Sequence, residues 1–119
     1  MKRGPESKRT LELINLLRKS AVENKARIWR RVAERLSGAS RRRAEVNLHS
    51  IDKHSKEGDM VVVPGKVLAT GALNHRVTIA AHSFSASAAD KIRKAGGSCV
   101  TIANVVESNP EGKGIILME

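Results

Sequence analysis

A chain of 119 residues that is 40% hydrophobic can bury a single core, which excludes wholesale disorder, and its one cysteine, Cys99, excludes an intrachain disulfide. Trp29 and Phe84 are the only aromatic residues, so a sheet of stacking aromatics for bases is excluded as well. Lys and Arg number 22 against 12 acidic residues, a net charge of +10, and residues 1–57 alone carry +9 of it. Charge segregated in this way attracts polyanions, because each phosphate neutralised releases condensed counterions.

Residues 1–6 read as a basic arm with Lys2 and Arg3, broken by Gly4-Pro5. The spacing of Leu11, Ile14, Leu17 and Ala21 predicts a first helix over 7–24, with Ser7 or Thr10 as its cap and Lys8 and Arg9 in its first turn. Ile28, Trp29, Val32, Ala33 and Leu36 predict a second helix over 26–37, stopped by Gly38. Its other faces carry Arg27, Arg30, Arg31 and Arg35. Arg41-Arg42-Arg43 is the densest charge in the chain. A third helix is expected directly after it, over 44–56, so that the triplet would sit at a helix start where amides and dipole favour an anion.

The pattern then turns to β. Met60 to Val63 predicts a strand closed by a Pro64-Gly65 turn that exposes Lys66, with Lys66 to Ala69 as a short extended piece. His75 and Arg76 fall in a turn, where a polar contact to RNA is as natural as solvent. Strands are expected over 76–81, 98–102 and 114–118, and a helix over 85–95 ended by Gly96-Gly97. Ala103 to Ser108 reads as a short turn or helix. The sum is a mixed α/β (α+β) chain of one domain, 1–119. It divides into a basic helical RNA-binding region over 1–57 and a compact α/β core over 58–119.

No constellation for catalysis stands out. A phosphate loop needs Gly, four residues, then Gly-Lys-Ser/Thr. Here six residues separate Gly58 from Gly65, and Val67 replaces the hydroxyl. His49 and His54 lie five apart on a predicted helix and share no face, and no second cysteine offers a zinc site. Ser83, Ser85 and Ser87 follow His82, but serines between a strand and a helix usually cap, and no Gly-x-Ser-x-Gly elbow is present. No cofactor, metal or small-molecule substrate is expected. No signal-peptide pattern and no run near the roughly 18 apolar residues of a membrane helix is found, so a soluble, cytoplasmic chain without a membrane partner is expected.

Several motifs in order carry a resemblance. Arg41-Arg42-Arg43-Ala44-Glu45-Val46-Asn47-Leu48 is followed by Val62-Val63-Pro64-Gly65-Lys66-Val67-Leu68. After these come Gly71-x-Leu73, Val77-x-Ile79-Ala80, Phe84-Ser85, Lys91-Ile92, Ala95-Gly96-Gly97 and Asn109-Pro110-Glu111-Gly112. Across nearly its whole length the chain resembles the archaeal and eukaryotic ribosomal large-subunit protein eighteen-e family, which is related in fold to bacterial ribosomal protein fifteen. Where that family commonly has Gly-x-Gly after Val-Leu, this chain has Ala69-Thr70-Gly71 and keeps only the second glycine. The compact length looks archaeal.

The resemblance implies an irregular layered β-β-α core and a structural role in the large subunit. It also implies ribosomal RNA and neighbouring ribosomal proteins as partners. The Arg triplet and Pro64-Gly65-Lys66 lie on matching motifs, whereas Lys2, Arg3, Lys8 and Arg9 match only in being basic. Together with Arg27, Arg30, Arg31, His75 and Arg76 these are the expected RNA-binding residues. The alternative is a DNA-binding helical module fused to a small α/β domain, but helix two offers Arg, Glu and an apolar stripe where base-reading polar side chains would be needed. The apolar face of helix one is more simply core than a membrane anchor.

Overall fold

A computed structural model describes residues 8–37 and 43–119. Two helices, α1 (Lys8–Glu23) and α2 (Arg27–Ser37), lead into β1 (Ala44–Asn47), α3 (Leu48–His54), β2 (Met60–Leu68), β3 (Thr78–Phe84), α4 (Ala86–Lys94), β4 (Ser98–Thr101), α5 (Ile102–Ser108) and β5 (Ile115–Leu117). This is the mixed α and β arrangement expected, a helical start followed by a sheet core. Lys25, at φ 52°, turns α1 back onto α2. Arg18 Nη2 then reaches Ser37 Oγ at 3.3 Å.

All strand pairs are parallel, in the order β1-β2-β3-β4. Strand β2 is the centre: β3 runs along one side, while β1 and β5 share the other, β1 against residues 65–68 and β5 against 60–62. Parallel strands buried on both faces need continuous apolar runs, and Met60 to Val63 is one. Alternation splits that run between two layers. Val62 and Ala80 pack under α1, α2 and α5 with Leu17, Trp29, Leu36 and Ile102. Val61, Val63, Ile79 and Ala81 pack under α3 and α4 with Leu48, Ile51, Ala88 and Ile92. Trp29 is fully buried, and its indole N–H finds a partner in the Pro110 carbonyl at 2.9 Å.

Two sequence expectations fail here, for one reason. Pro64-Gly65 does not close a strand; β2 runs through it to Leu68. The register with β3 shifts between Val63 and Lys66, so the pair forms a bulge, the one interior place where a residue without an N–H is tolerated. Running on, β2 supplies a partner for residues 44–47, which therefore form β1 and not the first turn of a helix. Ala44 and Val46 are buried while Glu45 is exposed, a period of two. The third helix is confined to Leu48–His54 and starts at Asn47, whose extended backbone (φ −92°, ψ 164°) and side chain, accepting from Ser50 N–H at 2.9 Å, make it the N-cap. Gly65 permits this pairing, since a Cβ there would lie 1.9 Å from the Ala44 carbonyl oxygen.

The remaining differences are small. Strand β3 begins at Thr78 and reaches Phe84, beyond the expected 76–81. Ser85 caps α4 by accepting from Ala88 N–H at 3.1 Å. Gly96, at φ 85°, ends α4 as anticipated, donating to the Arg93 carbonyl at 2.9 Å. Thr10 is not the cap of α1 but a buried residue inside it. No helix among the described residues is long and apolar enough to cross a membrane.

Candidate nucleic-acid interface

Helices α1, α2 and α5 cover the sheet at Val62 and Ala80 but not toward the carboxyl ends of β2 and β3. There the register places Glu45, Lys66 and Ser83 in one row across three strands, and all three are exposed. Ala44, Val46 and Val67 face the opposite core, so this row lies on the α1 side of the sheet. A cleft of about 480 Å³ lined by Arg43, Glu45, Lys66, His82 and Ser83 opens over it. A second, of about 650 Å³, is lined by Arg9, Thr10, Leu13, His82 and Thr101. Crevices at the carboxyl ends of parallel strands are where open α/β sheets bind ligands.

His82 belongs to both clefts and lies 3.2 Å from Thr10 Oγ1, a contact that joins α1 to β3 at their boundary. Of the expected residues, Arg9, Arg43 and Lys66 gather here, and Lys8 is exposed in the same first turn of α1 as Arg9. Neither Arg9 nor Lys66 makes an ion pair among the described residues, although Glu45 stands opposite Lys66.

Arg43 is not at a helix start. Residue 44 opens a strand, and Arg43 Nη2 donates instead to the Leu36 carbonyl at 3.1 Å, in the last turn of α2. The guanidinium thus meets the negative end of a helix dipole. The second helix divides its arginines. Arg27 and Arg30 are exposed. Arg31 donates from Nε to both oxygens of Glu119 (3.1 and 3.0 Å), and Arg35 Nε lies 3.1 Å from Glu119 Oε1. The hydrogen bond and charge of Glu119 raise the pKa of Arg31 above the usual arginine value.

His75 and Arg76 lie at the opposite end of the sheet, just before β3. Arg76 Nε pairs with Glu57 at 3.6 Å. His75 Nδ1 lies 3.2 Å from Asp52 Oδ1, and Nε2 lies 2.9 Å from Ser55 Oγ. This Asp-His-Ser order resembles a hydrolytic relay. The Ser55 hydroxyl, however, donates to the Ile51 carbonyl. Its proton is committed to the backbone, and the group ties α3 to the 69–77 loop. Hydrogen bonds from the Asn74 backbone and side chain, with smaller contributions from His75 and His49, hold the Asp52 carboxyl below the usual aspartate value. No group of three or more metal-ligating side chains occurs among the described residues.

Lys2, Arg3, Arg41 and Arg42, and with them Ser7 and Gly38, lie outside the described residues. Sequence reasoning missed Glu45, Thr10 and His82 as parts of the cleft. Their one visible signal was polar His82-Ser83 ending an apolar strand; the row from 45 to 83 exists only through the register.

The family model that describes ribosomal proteins 50S-L15, 50S-L18e and 60S-L27a matches residues 22–100. The large ribosomal subunit protein eL18 of Methanothermobacter thermautotrophicus is 49% identical over 109 residues, 92% of this chain and 90% of the relative. The eL18 proteins of Archaeoglobus fulgidus and Methanoregula boonei are 47% and 46% identical, covering 89% and 92% of this chain and 91% of each relative.

Proposed function

The chain belongs to the large ribosomal subunit protein eL18 family, and we propose that it holds large-subunit ribosomal RNA by Lys and Arg contacts to phosphates, centred on the cleft beside Lys66. As a member of that family it is a structural ribosomal protein and not an enzyme. The observation that carries the RNA reading is the pair Arg9 and Lys66. They stand at two adjoining clefts, Lys66 on the sheet face that the helices leave open and Arg9 in the first turn of α1 beside it, and neither makes an ion pair among the described residues, although Glu45 and Glu12 line the same clefts.

An unpaired exposed cation meets a phosphate without giving up an ionic partner, whereas an ion-paired one has to exchange its partner. Lys66 offers a point charge and Arg9 a planar fork, which suits two oxygens of one phosphate. Arg43 sits beside them, anchored to α2. We place Arg27, Arg30 and Lys8 on the same RNA-facing side of the assignment as exposed cations that add to the long-range field. His75 and Arg76 would touch RNA only at the far end of the sheet. Lys2, Arg3, Arg41 and Arg42 would add phosphates from segments adjoining α1 and β1. We keep residues 1–119 as one domain, because the helical N-terminal region and the sheet share the Val62–Ala80 core.

The test is incorporation. Tagged protein expressed in an archaeal host should sediment with the large subunit on a sucrose gradient, and Arg9→Ala with Lys66→Ala should reduce its share of that peak. Absence of the unmodified protein from the peak would contradict the proposal. Duplex DNA competing as well as structured RNA would favour the helical DNA-binding reading instead.

A further inference from the structure

We propose that Arg31 and Arg35 form a phosphate site whose resident occupant is the Glu119 carboxylate, displaced when RNA binds. The inference rests on the RNA-binding reading and adds a site and a competitor to it. Residues 31 and 35 stand one turn apart on α2, so their guanidinium groups project from one face. Both converge on a single carboxylate.

That carboxylate does not saturate them. Glu119 takes one N–H of Arg31, shared between its two oxygens. Arg35 Nε is within 3.1 Å of Oε1 but is not aligned with it and makes no hydrogen bond. Each guanidinium has five N–H donors. The Nη groups of Arg31 and Arg35 make no hydrogen bond among the described residues. Two forks therefore share one planar acceptor that can align with only one of them. A tetrahedral phosphodiester spreads its oxygens out of one plane and suits two forks better.

Release is local. The backbone before Glu119 is held by the Met118 N–H to the Val62 carbonyl at 3.0 Å, so rotation of the Glu119 side chain alone opens the site. The Arg31 side chain is 53% exposed, which lets an incoming phosphate reach it before Glu119 leaves. The Arg31–Glu119 contact to be lost is a partly exposed ion pair, of a kind that contributes little stability.

The experiment is equilibrium binding of the full chain to purified large-subunit ribosomal RNA across a salt series, with thermal midpoints recorded for each variant. Glu119→Gln should bind about two- to fivefold more tightly, the range set by the small worth of an exposed ion pair. Arg31→Ala/Arg35→Ala should bind more weakly, with a log–log salt slope shallower by about 0.7–0.9, one phosphate's share. In that arginine-free background Glu119→Gln should have no effect, which separates displacement from a general gain of positive charge. A Glu119→Gln affinity equal to or below that of the unmodified chain overturns the proposal. So does an equal gain in both backgrounds. If the double arginine variant fails to fold, Arg31→Gln/Arg35→Gln takes its place as the arginine-free background. If the unmodified chain shows no salt-dependent RNA binding, the RNA reading fails first and this site falls with it.

Discussion

Arg43 donates to the Leu36 carbonyl at 3.1 Å, which fastens the entrance of the sheet to the last turn of α2. The bond gives this arginine a duty in the folded chain that Lys66, exposed on β2, does not have. Arg43→Ala should therefore lower stability by about 1 kcal/mol, from the lost hydrogen bond and helix-end charge. Lys66→Ala should stay within about 0.5 kcal/mol of the unmodified chain. Urea unfolding distinguishes the two, and equal midpoints for both variants would remove the anchoring role.

Gly65→Ala tests the pairing that turned residues 44–47 into a strand. The new Cβ would sit 1.9 Å from the Ala44 carbonyl oxygen and 2.7 Å from its carbon, both backbone atoms that cannot swing away. Overpacking of this kind costs about 1–3 kcal/mol and more where backbone must move. A fall in the thermal midpoint is expected together with faster amide exchange over 44–47. Unchanged exchange there would mean β1 does not depend on the close approach.

Asp52 makes acid stability informative. Its folded pKa is lowered from the usual aspartate value, first through the Asn74 backbone and side-chain hydrogen bonds and then through His75. A carboxyl lowered on folding stabilises the protein above its unfolded pKa and loses that contribution as pH falls through the folded value. Asp52→Asn should therefore flatten the decline of the urea midpoint below about pH 4, while the curve above it keeps its shape. Parallel acid limbs for the two proteins would show that the Asp52–Asn74 hydrogen bonds carry no linkage.

Much of this fold was legible. The apolar spacing of α2 and α4 marked their faces, and Ser85 and Gly96 marked the two ends of α4. That of α1 held at Ile14 and Leu17 but not at Leu11, which is exposed while Thr10 and Ser20 are buried. The expectation failed at Ala44 to Asn47, where a four-residue apolar–polar alternation also fits the start of a helix, and only the partner at Gly65 to Leu68 decides for a strand. The same partner hid the role of Pro64-Gly65, because a bulge inside a strand and a turn at its end have one sequence signature. The cleft was less legible still. Lys66 was visible as an exposed cation, but Glu45 and Ser83 join it through register, and His82 meets Thr10 across 72 residues of sequence. The arginines of α2 looked alike in sequence; what separates Arg31 from Arg30 is Glu119, at the other end of the chain.

We propose that Lys66 on the open sheet face and Arg9 at the start of α1 hold ribosomal RNA. The most direct measurement is the salt dependence of binding to large-subunit ribosomal RNA by the unmodified chain and by Arg9→Ala/Lys66→Ala. Two lost phosphate contacts should make the log–log slope shallower by about 1.4–1.8, with the thermal midpoint retained. An unchanged slope in a folded double variant would contradict the account.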